Sequence, residues 1–257
     1  MPARVVFSLQ GARWLPQGWR IFKAAPLGWL SMVFAYTFLM TAVSLLPLVG
    51  VVAATMMVPA FSVSFMAASR AAERGGNLGL GMLFAGFREA LPAQLVLGGL
   101  YLGSVMLLLA ATALADDGTF ARWLTTGKRP AAEVAQSDEF QAALLVAAAL
   151  YTQVMMLFWF SPVLAAWHRM PVAKALFFSY VAVLMNWRAF LAYGTVTAMV
   201  TVAAPFATIL ALTAVTGGKA QPTAAGLLFP VLLIIMPTLF GSFYASYRDV
   251  FAPPAPE

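Results

Sequence analysis

At 257 residues, 62% hydrophobic and 9% charged, the chain is too apolar for an ordinary soluble domain, which carries about 25% charged residues. Its net charge of +6 includes no Lys/Arg run of five or more, which argues against nucleic-acid binding and for basic residues that set membrane orientation. The absence of cysteine excludes disulfides, Cys-ligated zinc and thiol catalysis.

The apolar runs are about 20 residues long, enough to cross the hydrocarbon core as helices. A porin-like barrel would show ~10-residue alternating segments instead. The expected fold is therefore an all-α membrane protein with six transmembrane helices. Residues 1–25 read as interfacial. Trp14, Trp19 and Phe22 oppose Arg13, Gln17, Arg20 and Ala24, a cationic amphipathic pattern suited to the headgroup plane. Arg4, Arg13, Arg20 and Lys23 interrupt any signal-peptide core, so the first span is expected to be retained.

Span 1 covers 27–46, turns at Pro47 and Gly50, and returns as span 2 over 51–68. Arg70, Glu73, Arg74 and Gly75-Gly76 end that hairpin. Residues 77–90 repeat the interfacial theme, with Leu80, Leu83, Phe84 and Phe87 on one helical face. Span 3, 91–113, opens at Pro92 and holds Gly99 and Gly103, a small-xxx-small pair suited to close helix contact. Residues 116–140 form the sizeable polar loop. Ser137, followed by acidic residues, is placed to cap span 4, which runs to Trp167 and should kink at Pro162. A third interfacial segment, 170–188, starts beside Pro171. Span 5, 189–215, contains Pro205 and stops at Gly217-Gly218. Span 6 follows Pro222, contains Pro230 and Pro237, and ends near Tyr247.

A Leu-x-x-small-aromatic pattern recurs as Leu15-Pro-Gln-Gly18-Trp19, Leu83-Phe-Ala-Gly86-Phe87 and Leu176-Phe-Phe-Ser179-Tyr180. Gly18 to Gly86 is 68 residues and Gly86 to Ser179 is 93; the excess of 25 equals the length of the 116–140 loop. Pro59 to Arg70 also aligns with Pro237 to Arg248, sharing the Pro, a Ser-Phe pair, an Ala and the Arg. The chain thus reads as one transmembrane domain of three tandem units, 14–76, 77–169 and 170–251, each an interfacial helix plus a two-helix hairpin. With six spans, 11 Lys/Arg fall on the side of both termini and 4 on the other, which predicts both termini in the cytoplasm.

Chemistry-bearing residues are few. No charged residue lies inside a span; the polar groups there are Gln94, Gln153 and scattered Ser and Thr, and Gln153 is the candidate midplane contact. One histidine, His168, cannot make an ordinary zinc site. Adjacent Met56-Met57 and Met155-Met156 point about 100° apart on a helix, so they read as packing bulk. No hydrolase elbow, phosphate loop or zincin motif occurs, so neither an enzyme nor a cofactor is expected. Arg20, Arg70, Arg88, Arg169 and Arg248 stand at segment ends and could form a basic rim for anionic lipid headgroups.

Four stretches resemble a family of betaproteobacterial inner-membrane proteins without an assigned activity. They are residues 14–26, residues 62–75, Ser161-Pro-Val-Leu-Ala-Ala-Trp167 and Ala175-Leu-Phe-Phe-Ser179. The resemblance spans most of the chain. It implies a location in the bacterial inner membrane and carries over no functional residue. The leading expectation is a non-enzymatic protein that organises membrane lipids or a membrane-protein partner around a packed, dry centre. The alternative is a transporter or permease for an uncharged or hydrophobic solute. That would need a polar midplane cavity near Pro59, Pro162, Pro205, Pro230 and Pro237, with Gln153 and Thr208 at that depth.

Overall fold

A computed structural model describes residues 3–47, 49–215 and 221–251. Side chains at Pro205, Thr208, Pro230 and their masked neighbours lie outside the described residues, as do Gly217 and Gly218. The described chain is helical, with no strand: α1 Ser8–Ala24, α2 Pro26–Ser44, α3 Gly50–Glu73, a 3₁₀ turn Leu80–Phe84, α4 Ala85–Asp116, α5 Thr119–Thr126, α6 Ala132–Ala135, α7 Asp138–Phe158, α8 Ser161–Trp167, α9 Val172–Met185, α10 Trp187–Val215 and α11 Gln221–Phe251.

Four helical segments among the described residues are long and apolar enough to cross a membrane: Pro26–Ser44, Gly50–Glu73, Leu80–Asp116 and Asp138–Trp167. The pair Val172–Met185 and Trp187–Ala203, bent by 80°, makes a fifth. Six were expected. The remaining one falls in α11, where the side chains of residues 221–232 are outside the described residues.

Each expected interfacial segment ends at a backbone break before a span. Pro26 disfavours the helical region for the residue before it, and Ala25 sits at φ −148°, ψ 62°. Ala90, two residues before Pro92, has φ −158°, ψ 47°. Asn186 separates α9 from α10.

Helix α1 is not a free headgroup helix. Trp14 is fully buried, and Leu15, Gly18, Ile21 and Phe22 are buried with it, whereas Trp19 is exposed. The buried stripe packs on α10 and α11. A Cβ at Gly11 would overlap the Ala189 carbonyl, and one at Gly18 would overlap the Thr238 carbonyl oxygen. Glycine is needed here because backbone meets backbone. Gly86 meets the Ala60 carbonyl in the same way, and its N–H donates to Ser64 Oγ at 2.9 Å. Ser179 Oγ accepts from the Phe160 N–H at 2.9 Å and donates to the Met156 carbonyl at 2.8 Å.

Helix α4 approaches α3 through Gly98, whose Cβ would overlap the Met56 carbonyl. The expected contact pair, Gly99 and Gly103, has nothing within 4 Å. One residue is about 100° of rotation on a helix, so the motif was one position out of phase.

The expected kink at Pro162 is a full break, centred on Trp159 and Phe160 between α7 and α8. Proline lacks an N–H and clashes with the carbonyl four residues back. In lipid the freed groups need partners from neighbouring helices. Ser179 supplies one at Phe160, and Gln94 Nε2 donates to the Pro162 carbonyl at 3.0 Å.

The 116–140 stretch is partly helical rather than a plain loop. Asp116 accepts from the Gly118 and Phe120 N–H groups at 3.0 and 2.6 Å, capping α5. Phe120, Trp123 and Phe140 pack together above the ends of α4 and α7. Ser137 caps α7, accepting from the Phe140 N–H at 3.3 Å.

Candidate functional site: a central apolar cavity

The space between the helices is neither fully packed nor polar. A cavity of about 740 Å³ opens between α2, α3, α4, α7, α8, α9, α10 and α11, within the range of sites that hold small ligands. Of the 24 lining residues among the described ones, eleven are aromatic and none is charged. Pro59 and Pro162 border it beside the α7–α8 break.

Aromatic contacts hold the walls. Phe65 stacks on Phe240 with centroids 3.7 Å apart, joining α3 to α11. Tyr36 meets Phe61 and Phe65 edge-on, both at 5.1 Å. Trp159 packs edge-on against Phe190 and Phe243 at 5.5 and 5.0 Å. Such geometries suit the ring quadrupole and hold the side chains in place. Tyr193 is buried and its hydroxyl lies 2.7 Å from Ser242 Oγ.

Gln153, the expected midplane contact, does not reach this cavity. It is exposed on the outer side of α7, and its Oε1 accepts from the Tyr180 hydroxyl at 2.9 Å. Gln94 is the buried amide, with its Oε1 unpartnered among the described residues.

A second, smaller cleft of about 330 Å³ is lined by Gln17, Arg20, Glu73 and Arg248, with Ile21, Ala24 and Ala72. Arg248 is ion-paired with Glu73 and donates to Gln17 Oε1 at 2.8 Å. Tyr244 donates to the same Glu73 carboxylate at 3.0 Å. Arg70 lies 4.1 Å over the Trp167 ring, a cation–π contact. So of the five candidate rim arginines, Arg20 and Arg248 share a cleft, Arg70 packs on an indole, and Arg88 and Arg169 stand exposed elsewhere.

His168 follows α8, and its Nε2 lies 2.7 Å from the Tyr247 hydroxyl. Burial lowers its pKa below the ordinary histidine value. The unfolded chain therefore binds the proton more readily, and stability present above pH about 6.5 declines as pH falls below it. Melting temperatures from pH 8 to 5 are expected to fall more in the parent than in His168→Gln.

Residues 4–14 meet residues 249 and 250. Asp249 accepts from Gln10 Nε2 at 2.6 Å and from Trp14 Nε1 at 2.9 Å. The Arg4 N–H donates to the Val250 carbonyl at 2.9 Å. Asn186 Oδ1 accepts from the Val6 N–H, while its Nδ2 donates to the carbonyls of Arg4 and Ala182. The sequence singled out neither Asp249 nor Asn186. The only hint was an acid and an amide beside aromatic segments.

No family model matches the chain, and no solved structure matches it. A curated protein of Burkholderia thailandensis described as a "probable inner membrane protein" is 36% identical over 247 residues, covering 94% of this chain and 90% of that protein. That extent of identity agrees with the resemblance drawn from the four sequence stretches, and the chain belongs to the same family as this Burkholderia inner-membrane protein.

Proposed function

We propose that the protein is a non-enzymatic lipid-binding protein of the bacterial inner membrane that holds a hydrophobic molecule in its central cavity. The observation that carries this reading is the uncharged, aromatic lining of a 740 Å³ space. An apolar occupant gains by leaving a lipid-exposed or watery position for such walls. The exposed Arg20, Arg88 and Arg169 suit contact with anionic headgroups outside the cavity.

The layout we propose is six spans in three tandem units, with both termini cytoplasmic. Gly18, Gly86 and Ser179 all make close backbone or side-chain contacts with an even-numbered span, at Thr238, Ala60 and Met156 respectively. Thr238 and Ala60 occupy the same place in the Pro237–Arg248 and Pro59–Arg70 alignment, which supports equivalent units. A Thr126→Cys label is expected to react with an impermeant maleimide outside spheroplasts; an unreactive label overturns the orientation.

A transporter for a hydrophobic solute is the second reading, favoured by the α7–α8 break beside the cavity. Both readings predict a retained occupant. Mass spectrometry of protein in native nanodiscs is expected to find a hydrophobic molecule enriched over the bulk membrane. Ala198→Trp places bulk at a lining position and is expected to abolish the enrichment without lowering the melting temperature. No enrichment in the parent protein would defeat both readings.

A further inference from the structure

The cavity carries three tyrosines near the midpoints of their spans: Tyr36 on α2, Tyr101 on α4 and Tyr151 on α7. The Tyr101 and Tyr151 hydroxyls neighbour each other, and Tyr36 lies close by. Apart from one another, these hydroxyls have no protein partner among the described residues. Tyr193, by contrast, is paired with Ser242. Thr197 Oγ1, on the same wall, is buried and has no partner among the described residues.

A donor at mid-membrane depth without an acceptor is costly, because no bulk water reaches it. Tyrosine also presents a face and an edge that suit another flat ring. An aliphatic chain needs neither property of the wall. An occupant with a carbonyl oxygen on a flat ring uses both. The lack of any charged lining residue among the described ones disfavours a phosphate or carboxylate headgroup in the same space.

Building on the lipid-binding reading, we propose that the cavity takes an uncharged lipid whose head is a flat, carbonyl-bearing ring, a quinone in chemical class. Tyr101 and Tyr151 donate to one carbonyl, and the ring lies among Tyr36, Phe65 and Phe240. The isoprenoid tail leaves through the open side of the cavity into the bilayer. The assignment is of binding alone, with no electron transfer to the protein.

The test titrates purified protein in detergent with decylubiquinone and, separately, with decylbenzene, which has a ring and chain but no carbonyl. Equilibrium gel filtration reads the bound fraction. Decylubiquinone is expected to bind at least tenfold more tightly. Tyr101→Phe with Tyr151→Phe is expected to weaken decylubiquinone about tenfold, the loss of roughly one hydrogen bond, and to leave decylbenzene unchanged. That unchanged arm shows that the variant is folded. Ala198→Trp is expected to reduce both. Equal binding of the two probes, indifferent to the tyrosines, overturns the quinone assignment and leaves a hydrophobic-molecule site. Binding of neither probe overturns the lipid-binding reading as well. Quinone binding that survives Ala198→Trp places the ligand elsewhere and also overturns the assignment.

Discussion

Replacing Gly18 with leucine is expected to abolish recovery of monodisperse protein. The position has no room for even one carbon, because a Cβ would overlap the Thr238 carbonyl oxygen and approach the Ser242 backbone. A Cβ at Gly241, on the facing helix, would come within 2.9 Å of the Gly18 backbone. No side-chain rotation relieves a clash with backbone, so α1 must move off α11. Overpacking a core costs about 1–3 kcal/mol where side chains can yield, and here they cannot, so about 3 kcal/mol or more is expected. Displacing α1 would also unseat Trp14 from Asp249. Gly99→Leu and Gly103→Leu are the controls, since nothing lies within 4 Å of either position. Size-exclusion recovery and thermal melting in one detergent compare the three. Equal losses at Gly18 and Gly99 would mean that the α1–α11 contact is not formed.

Trp14→Ala carries the next largest effect. The indole is fully buried and meets Phe190 and Tyr193 edge-on at 5.2 and 5.7 Å. Truncating a buried aromatic costs about 3–5 kcal/mol through lost contacts and the space left behind. The change also removes the donor to Asp249, leaving a carboxylate of low exposure held by Gln10 and its own neighbour Arg248. Trp14→Phe keeps most of the ring and loses the hydrogen bond, so it separates the two causes. It is expected to lose about 1–3 kcal/mol, the range for a buried charged acceptor losing a partner. Trp19→Ala is expected to be nearly neutral, because that ring is exposed. Chemical denaturation in mild detergent reads all three.

Helix positions were legible because apolar length and proline chemistry act locally. The ends of α2 and α3, the start of α7 at the Ser137 cap and the interruption near Pro162 all follow from short-range rules. The small residue of each Leu-x-x-small-aromatic copy, read from the sequence only as a repeat marker, falls at a close contact: Gly18 and Gly86 against backbone, Ser179 through its hydroxyl. What failed was helix phase. In a uniformly apolar helix every face looks alike, so nothing in the sequence separates Gly98 from Gly99 or turns Gln153 outward. The rotation is set by neighbours far away in the chain. The cavity was illegible for the same reason: its lining comes from eight helices, and its tyrosines look like ordinary span residues until the fold brings them to one space. The α1 stripe was misplaced because an amphipathic, arginine-bearing segment fits either a headgroup plane or a protein groove. Here the groove won, with Trp14 rather than Trp19 inside.

The meeting of Asp249 with Gln10 and Trp14 sets an order of events at the ribosome. These partners are 239 and 235 residues apart in sequence. The first helix is synthesised long before its seat on the last one exists, so it must wait at the membrane surface with its indole unburied. Closure of so distant a contact is slow, and during the wait the nascent bundle shows an unfilled groove and an unseated helix. A chain cut short before Asp249 would lack the acceptor for Gln10 and Trp14. Full seating of the first helix therefore comes only after the last one has been made.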